Sequence, residues 1–196
     1  MILPLALPVL LLAFFLLLVL LIVMIEVRVL SYAYRKIGVR PRYMVAVLLL
    51  TLVGSQFNIP LYSVSGTVVA INVGGALVPL LLSLYLFFRF KMYVRMLLGV
   101  AVVAIIVHGL AQIVPGVGIA VPMLIPPLVA AGVALILSFR RAPPVAYVSG
   151  SMGALIGADI SNLHRLAEIG APVVSIGGAG TFDGVFLTGI IAGLIT

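Results

Sequence analysis

Ten of the eleven lysines and arginines are confined to three short stretches, 28–42, 89–95 and 140–141, and the eleventh is Arg165. The intervening chain is apolar in runs of about 20 residues, the length a helix needs to cross roughly 30 Å of hydrocarbon. Lipid offers no partner to backbone amides, so such runs fold as helices that satisfy themselves. The pattern predicts an all-α polytopic membrane protein with seven transmembrane helices at about 2–27, 43–61, 66–88, 93–113, 117–138, 143–168 and 172–196. With 65% hydrophobic and 8% charged residues, no stretch is left for a separate soluble domain, so residues 1–196 are expected to form a single transmembrane domain. The run from Ile2 to Ile25 has no basic start and exceeds the roughly 7–15 apolar residues of a cleavable signal. It is expected to remain as the first helix.

Under this count the ten cations lie on one side of the membrane and Arg165 on the other. The positive-inside rule then places the N-terminus outside and the C-terminus in the cytoplasm, in the plasma membrane. The segment 28–42 is expected to lie against anionic lipid at the inner surface. The net charge of +7 is thus a matter of topology, and no nucleic-acid partner is expected. The chain has no cysteine and two histidines, His108 and His164. Thiolate chemistry is excluded, and neither a metal site nor a cofactor is expected.

Only two aspartates occur, Asp159 and Asp183, and both lie in glycine-rich apolar sequence. An ionisable group inside a bilayer is costly and points to function. Gly170-Ala171-Pro172 between them has the pattern of a helix stop. If both flanking arms are helical, each aspartate lies roughly 18 Å from the turn, at matched depth. Two carboxyls held close in a low dielectric share one proton. One can then activate a water while the other protonates a carbonyl oxygen or leaving amine. Gly180 and Gly184, beside Asp183, would leave room for a substrate backbone. The structural alternative has Asp159 hydrated near the outer interface by Ser161, Asn162 and His164, and Asp183 held by Thr181, Ser175, Asn72 or Tyr147.

Asn58 and Asn72 are a second polar group. Amides in membrane helices commonly join neighbouring helices, or these two would line a polar cavity that binds substrate. His108 and Gln112, one turn apart, are expected to bond between helices or to relay protons. Arg165 and Glu168 suggest a surface ion pair, and Pro115, Pro122, Pro126 and Pro127 suggest a kinked fifth helix. A faint repeat at an offset of 103 residues aligns Gly54 with Gly157 and Gly74-Gly75-Ala76 with Gly177-Gly178-Ala179. It would give a 3+1+3 layout of the kind used by small-solute transporters.

The string Gly180-Thr181-Phe182-Asp183, after Gly177-Gly178, resembles the Gly-x-hydrophobic-Asp motif of intramembrane aspartyl proteases of the presenilin, signal peptide peptidase and prepilin peptidase type. That resemblance implies catalytic roles for Asp159 and Asp183 and a membrane-embedded peptide as substrate. A wider likeness runs through Ile71–Pro79, Val114–Ile119, Ile125–Pro127, Gly157–Asp159 and Gly177–Gly184. Over these residues the chain is similar to an uncharacterised prokaryotic membrane-protein family, domain-of-unknown-function family 1614. The expected function is an aspartyl hydrolase in the membrane, with a proton-coupled small-solute transporter and a non-enzymatic scaffold as the alternatives.

Overall fold

The computed structural model describes residues 3–64, 66–116, 118–165, 169–178 and 184–196. Asp183, Gly180, Thr181, Phe182 and Glu168 lie outside the described residues. The fold is mostly helical. Helices α1 (Leu3–Ile37), α2 (Pro41–Gly54), α3 (Val78–Phe90), α4 (Tyr93–Leu110), α5 (Ile125–Ser138), α6 (Ala142–Ala154) and α7 (Gly184–Ile195) follow in order. Four helical stretches are long and apolar enough to cross a membrane: Phe14–Ile37, Val73–Phe90, Tyr93–Leu110 and Ile125–Arg165. The helices Pro41–Gly54 and Gly184–Ile195 are apolar but shorter.

The shortness has a cause that the all-helical expectation missed. Several expected spans give way to strand on the same side of the bundle. Strands β1 (Asn58–Val64), β2 (Thr67–Asn72) and β5 (Val173–Ile176) form a sheet in the order β1-β2-β5, and β3 (Gln112–Val114) pairs with β4 (Gly118–Ala120). The expected helix over 66–88 therefore starts as strand, turns through a π-helical segment at Val73–Leu77 and becomes regular only at Val78. The sequences explain it. Thr67-Val-Val-Ala-Ile71 and Val173-Val-Ser-Ile176 are rich in β-branched residues, which suit a pleated surface better than a helix. Lateral pairing, antiparallel between β1 and β2 and parallel between β2 and β5, satisfies their amides as a helix would have done.

Gly170 does adopt the left-handed conformation expected of a helix stop, with φ of 63°. The arm after it is strand, however, so the symmetrical helical hairpin that gave both aspartates equal depth is not formed. Pro126 and Pro127 also behave differently from expectation. They occupy the first turn of α5, where a missing amide costs nothing, and so start the helix rather than kink it.

Helix α6 is the axis of the core. Eleven of its thirteen residues are buried, Ala142, Tyr147, Ser149, Gly150 and Ala154 among them. It packs against α4, α5 and α7. A helix enclosed on all sides in lipid must be built from small residues so that neighbours approach closely. Gly153 lies against Val103 of α4, and Gly150 against Thr188 of α7. Opposite the sheets, the helix ends are tied by cations. Lys36 Nζ donates to the Leu194 carbonyl at 2.7 Å, Arg95 Nη1 to Ser138 Oγ at 3.2 Å, and Arg89 Nη1 to the Gly38 carbonyl. The cationic stretches thus gather at one end of the bundle and the two sheets at the other.

Candidate functional site

At the sheet end, α6 continues into a π-helical turn, Leu155–Asp159, whose last residue is Asp159. The half-buried Asp159 carboxylate accepts the Gly177 amide at 2.7 Å. Gly177 can present that amide because the chain leaves β5 through two left-handed residues, Gly177 at φ 81° and Gly178 at φ 63°. L side chains rarely adopt this conformation, so both positions require glycine. The Gly178 amide in turn donates to the Ser175 carbonyl at 3.1 Å.

On the other side of β5 lies a junction of amides. Asn72 is fully buried and uses every group it has. Its Oδ1 accepts the Gly75 amide at 2.7 Å, and its Nδ2 donates to the Ser55 carbonyl at 2.9 Å and to Asn58 Oδ1 at 3.0 Å. Ser175 Oγ donates to the same Asn58 Oδ1 at 2.6 Å. Asn58 and Asn72 face each other across the β1–β2 pair. The two polar groups meet through glycines: a methyl on Gly75 would strike the Gly177 carbonyl. Asn72 therefore holds one side of a glycine-on-glycine contact and Asp159 the other.

This geometry separates the predicted site residues. Asp159 and Gly184 line one cavity of about 270 Å³, together with Thr188 and Val185 of α7, Val107 of α4, and Met123 and Pro126. That volume accommodates several waters or one side chain. Asn58 and Asn72 do not line it; they belong to the junction behind β5. Among the described residues no atom lies within 4 Å of where a Cβ on Gly184 would stand. Gly177, by contrast, is already filled by the protein's own backbone at Ala76. Asp183 and Gly180 lie outside the described residues.

Two of the groups considered as structural partners of Asp183 are committed elsewhere. Both amide hydrogens of Asn72 and the hydroxyl hydrogen of Ser175 are already donated within the junction. Asn162 likewise donates to the Gly157 and Ala158 carbonyls, at 3.2 and 2.8 Å, rather than to Asp159. His108 and Gln112 are exposed at the end of α4 and in β3, and neither lines the cavity. Thr188 does line it and was missed. The signal was present, since Thr188 is the one polar side chain between Asp183 and Thr196. Among the described residues no group of three or more His, Asp or Glu is placed to hold a metal.

Replacing Asn72 with alanine would take the side-chain acceptor from the buried Gly75 amide and one donor from the Ser55 carbonyl. Each unsatisfied buried group costs about 1–3 kcal/mol, so Asn72→Ala should destabilise the detergent-solubilised protein by about 2–4 kcal/mol. Asn58→Ala, at an exposed position, should cost less than half as much in the same thermal unfolding experiment.

The model of the family described as "Protein of unknown function (DUF1614)" matches residues 49–195, and the chain belongs to that family. The match takes in Asp159, Asp183, Asn58, Asn72 and the five described strands, and leaves out α1 and the first half of α2. No curated protein and no solved structure matches the chain.

Proposed function

We propose that this DUF1614 protein is a membrane-embedded hydrolase of the aspartyl type, with Asp159 and Asp183 as its catalytic pair. The observation that carries the proposal is the shared cavity: Asp159 forms part of its wall, and so does Gly184. Asp183 directly precedes Gly184 in the chain. In this reading one carboxylate takes a proton from a water while the water oxygen adds to the scissile carbonyl carbon. The other, protonated carboxyl gives its proton to the carbonyl oxygen. Collapse of the tetrahedral intermediate breaks the C–N bond, and the amine leaves with a proton from the pair. The lack of a side chain at Gly184 supports access, and Thr188 supplies a hydroxyl to orient water.

The second reading is a 3+1+3 transporter for a small solute, coupled to protons through Asp183. What supports it is the placement of the two segments aligned by the repeat. Val68–Ile71 and Val173–Ile176 lie side by side as parallel strands, an offset of 105 residues rather than 103.

With either reading we propose seven passes through the plasma membrane, the N-terminus outside and the C-terminus in the cytoplasm. The support is the gathering of the ten cations at the bundle end opposite the sheets. The natural absence of cysteine makes the orientation simple to test. A membrane-impermeant maleimide should label Val114→Cys in intact cells, and Arg40→Cys only after permeabilisation. The reverse labelling would invert the topology.

The activity itself is tested with purified protein in liposomes and a panel of quenched fluorescent single-span peptides. Asp159→Asn, which keeps an oxygen to accept the Gly177 amide, and Asp183→Asn should each reduce cleavage by about 100-fold or more in protein that still unfolds cooperatively. Cleavage that survives Asp183→Asn would exclude the paired-aspartate mechanism. Proton-driven solute uptake abolished by Asp183→Asn, with no peptide cut, would favour the transporter.

A further inference from the structure

At the end of the bundle opposite the sheets, the α3–α4 turn and the α5–α6 turn enclose a pocket of about 740 Å³. Lys91, Arg95, Arg140 and Arg141 all line it, with Ser138 and Tyr93, and no carboxylate is among the described residues of its lining. Topology alone requires cations at this end of the molecule. It does not require four of them from two separate turns to converge on one concavity.

Three further observations point to an anion inside it. Helix α4 begins at this pocket, and its N-terminus has no side-chain cap and no acidic residue in its first turn. Its first amides and the positive end of its dipole therefore face the pocket without a protein acceptor from a side chain. Lys91 is the one non-glycine residue with positive φ among the described residues, at 54°. It closes α3 at a position where glycine would be easiest, so a lysine side chain stands at the rim against a local conformational penalty. Ser138 Oγ, already bonded to Arg95, fixes that guanidinium across the α4–α5 gap.

The surroundings identify the source of the anion. Val94 on α4, Ile136 on α5 and Phe139 just after α5, at or beside the pocket, are 69, 86 and 80% exposed. In a bilayer that surface meets acyl chains. A ligand that fills the pocket and covers this surface is an amphiphile with a negative head. We propose that the Lys91–Arg95–Arg140–Arg141 pocket binds the headgroup of an anionic phospholipid, its phosphate among the four cations and its chains along Val94 and Ile136. Cationic pockets between helices at the inner membrane face have the chemistry for this, each cation adding on the order of fivefold in binding.

The test uses the full chain in mild detergent and native mass spectrometry with phosphatidylglycerol and phosphatidylcholine as probes. The wild-type protein should retain phosphatidylglycerol on the order of tenfold over phosphatidylcholine. Lys91→Gln with Arg140→Gln and Arg141→Gln should remove that preference. Arg35→Gln with Arg40→Gln and Arg42→Gln, which removes equal charge elsewhere at the same end, should preserve it. Arg140→Lys with Arg141→Lys keeps both charges and should also preserve it, which separates lost binding from lost folding. Equal loss in the two glutamine variants would overturn the proposal in favour of a diffuse field. Displacement of the lipid by inorganic phosphate as readily as by more phosphatidylglycerol would show a site for free anions, and would overturn it as well.

Discussion

The bond from the Gly177 amide to the Asp159 carboxylate joins the parts of this molecule that the rest depends on. One partner ends the most buried helix, α6, and the other ends the strand β5. A carboxylate in apolar surroundings is costly unless it is hydrogen-bonded, and an amide leaving a strand needs an acceptor. Each group meets the other's requirement. The constraint then spreads outward. The Gly177 carbonyl abuts Gly75, Gly75 is held by Asn72, and Asn72 ties β2 to the end of α2 through Ser55.

The scaffold around this junction is built for close approach. Small residues on α6 let α4 and α7 pack against it with little side chain between them, which brings Val107 of α4 and Thr188 of α7 to one cavity. A packed interior of this kind transmits displacement poorly absorbed by soft side chains. The position of Asp159 in its cavity therefore rests on backbone contacts rather than on rotamers. At the opposite end Lys36, Arg89 and Arg95 perform a similar service, tying the end of α1 to the end of α7, the end of α3 to the α1–α2 turn, and the start of α4 to the end of α5.

Much of this was legible from the residue order. The cationic stretches and apolar runs located the helices, and Gly170 marked a chain reversal at its true place. Asp159 and Gly184, both selected from sequence, line one cavity, whereas Asn58 and Asn72, selected as substrate-binding residues, lie in the junction beside it. The strands were not legible, for a physical reason. In a chain this apolar, Thr67–Ile71 and Val173–Ile176 continue the hydropathy of their neighbouring helices, and only β-branching distinguishes them. Their pairing joins residues about 105 positions apart, and no local pattern reports that. The separate roles of Asn72 and Asp159 follow from the same sheet. Without β5 between them, nothing in the spacing tells a cavity residue from one that caps a turn.

The central claim is that the two aspartates face one cavity, and proximity can be measured without knowing any substrate. The chain has no cysteine, so Asp159→Cys with Asp183→Cys creates a single possible disulfide. Such a bond requires Cα atoms within about 7 Å. Mild oxidation in native membranes should cross-link the pair rapidly, seen as a reduction-sensitive change in mobility after cleavage at an engineered protease site between the two positions. Failure to cross-link, while each single cysteine reacts with a small maleimide, would place the carboxyls apart and contradict the account.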